Sequence, residues 1–323
     1  MTAGTVDSTI TSSGNLTFTQ AQDKTINVRN VTQSKGNLNI NGGTYRNITY
    51  TSTESGTKAD IANATVKYGV NATGTQVEIG AGATAKITDC NISVLTNKGN
   101  TEMVGTADAG NVINFGGATN NYSGAELTIK GKNTFNKNFG NSGRLIVDED
   151  AEFNLKNILT NNGYLKLGNN NGTIKRDGIV IDYGSNTTDS VRNEANGTIE
   201  FYDGKVRCGV TNSGTIIAPD GYELRSVEED GKKYISIYPY EYVIEVPVSS
   251  VDANAITTLN IPCEQRDGKY YFHDITAVSN AIKDNVDTTA TFVADKTYYS
   301  NPGKATIEAN KKLAIDFNGH KVN

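Results

Sequence analysis

The sequence predicts an all-β protein: a single-stranded parallel β-helix (solenoid) of roughly ten coils, followed by a β-hairpin and a small helix-capped β unit. Three observations carry this. A phrase made of an Asn/Gly turn and an alternating strand recurs through residues 141–221, as Asn141-Ser-Gly-Arg-Leu-Ile-Val, Asn161-Asn-Gly-Tyr-Leu-Lys-Leu, Ala195-Asn-Gly-Thr-Ile-Glu-Phe and Asn212-Ser-Gly-Thr-Ile-Ile. Such recurrence means that one supersecondary unit is stacked on copies of itself. The turn glycine then serves as a ruler, at Gly14, Gly36, Gly56, Gly74, Gly99, Gly124, Gly143, Gly163, Gly178, Gly197 and Gly214, which is 200 residues in ten steps. A mean of 20 residues suits one coil of a parallel β-helix and is too short for a propeller blade. Between the turns, apolar and polar residues alternate with the strand period, as in Leu16/Phe18, Leu38/Ile40, Val77/Ile79, Leu127/Ile129, Leu165/Leu167 and Ile199/Phe201.

Composition agrees with a narrow core. Hydrophobic residues make up 36% of the 323, as expected when much of every coil faces water. Asn, Gly, Thr, Ser and Asp fill the intervals, where corners need turn conformations. Ten coils at the ~4.8 Å strand spacing give a rod on the order of 50 Å. Asn at many turn positions predicts stacked asparagine ladders that hydrogen-bond between coils.

Taken in order, residues 1 to about 15 lead in with a strand that covers the first coil. Residues 16–140 form the irregular half, whose longer steps predict protruding loops around Thr96–Asn111 and Gly116–Gly124. Residues 141–221 form the regular half. Tyr222-Glu-Leu-Arg-Ser-Val and Tyr234-Ile-Ser-Ile-Tyr flank Asp230-Gly231 and read as a hairpin that covers the last coil. The expected domains are 1–238, the β-helix with its hairpin cap; 239–262, an extended linker; and 263–323, the helix-capped start of a second β-helical unit. In the last, Asp274 is a good N-cap for Ile275, Val278, Ala281 and Ile282 at helical spacing, the one α-helix expected.

Thirty basic residues stand against 35 acidic, net −5 and well mixed, which offers no phosphate track and argues against nucleic acid. No long apolar run predicts a transmembrane segment, and no signal peptide is visible in residues 1–13. The Thr/Asn/Gly-rich, Cys-poor surface points to an extracellular, cell-surface or secreted protein. Cys90, Cys208 and Cys263 fit no metal motif; Cys90 and Cys208 sit in strand-like stretches and are expected in the core. His273 and His320 make a poor metal pair. No catalytic residue, metal site or cofactor is expected.

The run Ala305-Thr-Ile-Glu-Ala-Asn-Lys-Lys-Leu-Ala-Ile-Asp-Phe-Asn-Gly-His-Lys-Val, following a short helix and a strand, resembles the entry into a right-handed parallel β-helix. It is similar to the pectate-lyase-like superfamily and to repeat-rich surface proteins of gut bacteria, and the Asn-Gly-x-Leu units of 141–221 resemble the same surface proteins. The resemblance implies a second β-helix beginning near residue 270 and a segment of a larger bacterial surface protein. It also implies an enzymatic alternative, because pectate lyases use clustered Asp for Ca²⁺ and an Arg as base. The candidate acids are Asp148, Glu149, Asp150, Asp177 and Asp182; none sits in a lyase motif, and no lyase-motif residue neighbours Arg144 or Arg176 in the sequence. The tyrosines Tyr234, Tyr238, Tyr240 and Tyr242 are candidates for binding, since their faces can stack on sugars. Two readings stand: a non-catalytic structural or adhesive module whose partners are host or environmental glycans or surface proteins, and a polysaccharide lyase, hydrolase or glycan-binding β-helix.

Overall fold

A computed structural model describes residues 1–66, 76–106, 110–113, 118–170, 173–185, 187–296, 307 and 310–322. The chain divides into two compact units, Met1–Ala218 with Val227–Ser236, and Pro219–Ser226 with Ile237–Asn323.

The first unit is a parallel β-solenoid. Its most regular ladder joins Leu16–Thr19, Leu38–Asn41, Ala59–Ala62, Thr84–Thr88, Asn100–Gly105, the first half of Glu126–Phe135, Arg144–Val147, Tyr164–Leu167, Thr198–Phe201 and Thr215–Ile217. These ten strands are ten coils. Along one inward column, Leu16 to Ile216, 200 residues are covered in nine steps of 16 to 34, about 22 per coil. The glycine ruler therefore ran slightly short. Gly178 does not open a coil, for it lies in an insert between Tyr164–Leu167 and Val180–Asp182. Gly82, at φ +73°, precedes the strand of the fourth coil, and Gly74 lies outside the described residues.

Two further ladders complete each coil. In the first three coils they are carried by single long strands, Gly4–Ser12, Ile26–Gln33 and Thr44–Tyr50. Gly4–Ser12 is thus part of the first coil rather than a cover over it. From the fourth coil they are carried by separate strands: Thr65–Val66 pairs with the start of Thr44–Tyr50 and Gln76–Ile79 with its end. One ladder then ends at Lys205–Arg207 and the other at Val210–Asn212. Of the expected loops, Leu95–Asn97, Asn100–Gly105, Asn111–Ile113 and Thr119–Asn121 are strands, while 107–109 and 114–117 lie outside the described residues.

The core follows from the alternation. Phe18, Ile40, Ile61, Ile87, Met103, Ile129, Val147, Leu167 and Phe201 share one inward column and are all buried. Each contributes about 1.5–3 kcal/mol by leaving water. Phe135, Phe139 and Phe153 add an edge-to-face trio with centroids 5.0–5.3 Å apart. The predicted asparagine ladder exists: Asn97, Asn121, Asn141, Asn161 and Asn193 each donate an Nδ2–H to the Oδ1 of the next coil's Asn at 2.7–2.8 Å, ending at Asn212. The remaining edge of the Lys205–Arg207 strand is closed by antiparallel pairing with Tyr234–Ser236. These belong to the hairpin strand Lys232–Pro239, which follows Tyr222–Glu229 through Asp230 and Gly231, both at positive φ.

The second unit holds a five-stranded sheet in the order Cys263–Arg266, Lys269–Phe272, Ile244–Pro247, Asp287–Phe292, Lys312–Asp316. Residues 239–262 are not an extended linker. Ile244–Pro247 pairs antiparallel on both sides, because Ile244 and Val246 point into an apolar core with Phe272, Val278 and Phe292. Pro247 stands at the strand's last position, where no ladder donor is lost. A second helix, Ala253–Thr258, follows, capped by Asp252. The expected helix is Ile275–Ala281, and Asp274 caps it by accepting from Ala277 N at 2.6 Å. Among the described strands one pairing here is parallel, Asp287–Thr291 with Lys312–Asp316, 25 residues on.

Candidate functional site

The candidate acids lie in or beside the insert of the ninth coil, and all but Asp148 meet a cation across coils. Lys175 Nζ lies 3.2 Å from Asp150 Oδ2 and 3.5 Å from Glu149 Oε2. Lys205 Nζ bridges Asp177 at 2.6 Å and Glu229 at 2.8 Å. The buried Arg207 faces Asp182 at 3.4 Å and the Tyr234 hydroxyl at 3.5 Å. Asp148 adds its charge to the surroundings of Lys130, whose pKa is raised chiefly by its hydrogen bond to Glu102. Paired acid–base catalysis needs one carboxyl kept protonated by burial or by a like charge. Around Asp150, Asp177 and Asp182 the partners are cations instead. For the same reason these acids do not fit the Ca²⁺ site that the resemblance would imply, and among the described residues no three His, Cys, Asp or Glu side chains converge as a metal site would require.

The four tyrosines are not one cluster. Tyr234 belongs to the solenoid unit, is buried, and carries Lys205 and Arg207 over its ring at 5.0 and 5.4 Å. Tyr238, Tyr240 and Tyr242 belong to the second unit. Arg225 lies over Tyr238; Tyr240 stacks on His273 at 3.9 Å, and Tyr242 meets both edge-on. Burial, followed by the charges of Asp274 and Glu223, pushes the Tyr240 hydroxyl above its ordinary range. Nearby, the wholly buried Lys296 ammonium contacts both oxygens of Glu223 at 2.7 and 2.9 Å. Arg225 shares that carboxylate at 2.8 Å. These rings and charges are engaged with one another.

A different place in the solenoid is open. A groove of about 540 Å³ crosses the corner of coils five to eight, lined by Asn100, Gly124, Ala125, Glu126, Ser142, Gly143, Arg144, Gly163 and Tyr164. Two of its glycines follow from packing: a Cβ on Gly143 would lie 2.2 Å from Tyr122 O, and one on Gly163 2.3 Å from Gly143 O. The floor therefore carries only small residues, Gly124, Ala125, Ser142, Gly143 and Gly163. Its wall is one outward row, Asn100, Glu126, Arg144 and Tyr164, directly opposite one another in register. Arg144 Nε pairs with Glu126 at 3.1 Å and its guanidinium lies 4.3 Å from the Tyr164 ring centroid. Tyr164 donates its hydroxyl to Glu200 at 2.5 Å. Burial first, and that hydrogen bond second, push its pKa up to about 12. Beneath the row, the second Nδ2–H of Asn97, Asn121 and Asn141 holds the backbone carbonyls of Glu126, Arg144 and Tyr164 at 2.8–2.9 Å.

Sequence reasoning missed this row, yet a signal was there. The repeat keeps Asn and Gly and varies the position after the turn: Asn100, Glu126, Arg144, Tyr164, Thr198, Thr215.

The fold and this surface define a parallel β-solenoid with a polar groove on its coils. Comparison of the chain with protein-family models, with curated proteins and with solved structures gives no match. Among the described residues no helix is long and apolar enough to cross a membrane.

Proposed function

We propose that this chain is a non-catalytic structural or adhesive module of a bacterial cell-surface or secreted protein, a stiff solenoid that displays binding surfaces. The observation that carries the reading is the pairing of Asp150, Asp177 and Asp182 with Lys175, Lys205 and Arg207, an arrangement that ties neighbouring coils together and occupies the acids with cations. Stiffness is the physical asset. Three hydrogen-bonded ladders and a buried amide ladder resist bending, so a displayed surface is held at a fixed height. In this reading residues 263–323 open a second β-helical unit, for which the parallel step from Asp287–Thr291 to Lys312–Asp316 is the support.

The second reading, a glycan-binding β-helix, is favoured by the groove beside Arg144 and Tyr164. A glycan array with the purified chain, run beside reducing-end and unsaturated-product assays on acidic polysaccharides, tests both. Binding without cleavage is the expected result for an adhesive module. Cleavage that is lost in Asp177→Asn or Asp182→Asn would overturn the non-catalytic reading.

A further inference from the structure

We infer that the groove on coils five to eight binds an uncharged, hydroxyl-rich polysaccharide strand. This rests on the adhesive reading and gives it a site and a ligand class. Sugars present vicinal hydroxyls, which planar groups with paired donors or acceptors can engage two at a time. The wall supplies three such groups side by side, the Asn100 amide, the Glu126 carboxylate and the Arg144 guanidinium. Beside them the Arg144–Tyr164 stack makes a flat amphipathic platform.

The wall is also fixed before any ligand arrives. Arg144 is held from one side by Glu126 and from the other by Tyr164, and Tyr164 by Glu200. The backbone of the row is pinned by the asparagine ladder. Little side-chain freedom is left to lose on binding, which is how a shallow polar surface gains affinity.

Spacing and charge select the occupant. Successive wall residues advance by one coil, ~4.8 Å, close to the advance per residue of an extended hexose chain. A strand laid along the solenoid axis therefore meets one wall residue per sugar. Within the groove the Glu126 and Arg144 charges cancel, so a polyanion gains no field to follow.

The test is affinity electrophoresis of the whole chain in gels containing a soluble β-glucan, an α-mannan or polygalacturonate. Retardation by a neutral polymer is expected. Tyr164→Ala and Arg144→Ala should each weaken it about tenfold or more, as buried anchors of an interface do. Lys86→Ala, on the same face but outside the groove, should leave it unchanged, and circular dichroism should match the parent for all three. Retardation that survives both groove variants would overturn the inference and leave the adhesive reading standing. Retardation by polygalacturonate alone would overturn the choice of a neutral ligand. Silence in all three gels would overturn the inference, and silence on the glycan array as well would remove the adhesive reading with it.

Discussion

Replacing Asn141 by Ala cuts the asparagine ladder at its middle. The side chain is buried, and three hydrogen bonds go with it: from Asn121 Nδ2 at 2.8 Å, to Asn161 Oδ1 at 2.7 Å, and to Tyr164 O at 2.9 Å. Asn121 keeps its bond to Arg144 O, but Asn161 Oδ1 and Tyr164 O both lose a donor. Stranded buried groups cost about 1–3 kcal/mol each, which puts the variant about 2–6 kcal/mol below the parent. Asn212, the exposed last rung, receives one ladder bond, and water can replace it, so Asn212→Ala should cost less than about 1 kcal/mol. Asn141→Asp adds a second signature. An ionised carboxylate there can only accept, and it would face two acceptors in a buried site. Its pKa is then raised on folding, so the deficit grows as pH rises through the ordinary carboxylate range and shrinks below it. Urea unfolding followed by circular dichroism gives the differences from midpoint and slope. Equal losses for Asn141→Ala and Asn212→Ala would refute the argument that the ladder is a stabilising element.

Four further outcomes are expected. Gly143→Ala should be far more destabilising than Gly56→Ala, because its Cβ would meet Tyr122 O at 2.2 Å while Gly56, at φ +75°, has open space around it; thermal melts of the two compare them. Asp182→Asn should lower the urea midpoint more than Asp150→Asn or Asp177→Asn, since it removes the charge that faces the buried Arg207 whereas the other two acids are largely exposed. Asp274→Ala should cost about 1 kcal/mol at neutral pH through the lost helix cap. Burial raises the Asp274 pKa, but the His273 bond, the Ala277 N–H and nearby positive charge outweigh it and hold the carboxyl low. Its stabilisation is therefore full above the ordinary carboxylate range and lost as pH falls below that range through the lowered folded value, so parent and variant should converge in acid. Finally, burial pushes the Cys90 thiol up to about 12, so maleimide labelling of the native chain should reach the half-buried Cys263 first and Cys90 only after unfolding.

Much of the solenoid could be read from local pattern. Nine of the ruler's glycines, from Gly14 through Gly56 and from Gly99 to Gly163, then Gly197 and Gly214, precede strands of the ten-strand ladder, because close packing between coils forbids a side chain at many of these corners. Gly178 misled because Asp177-Gly178 has turn chemistry without occupying a corner. The hairpin turn and the Asp274 cap were legible since both are settled within a few residues. Ion pairs were not: Lys175 and Asp150 stand 25 residues apart and Lys205 and Asp177 stand 28 apart, so their meeting depends on how long each coil is. The strand Ile244–Pro247 was hidden for a similar reason. It reads as part of an extended linker, and only the distant strands Lys269–Phe272 and Asp287–Phe292 make it central.

Coil length has an implication for how such a chain can change. Steps of 16 and of 34 residues both advance the stack by a single strand spacing, so the twelve residues between Leu167 and Val180 widen the ninth coil without lengthening the unit. Reach is counted in coils, not in residues. Insertions decorate the girth and leave the span untouched, while duplication of one Asn-x-Gly repeat adds ~4.8 Å, one more amide rung and one more outward position free to vary. A lineage that needs a longer stalk or a wider contact strip can obtain either without disturbing the other.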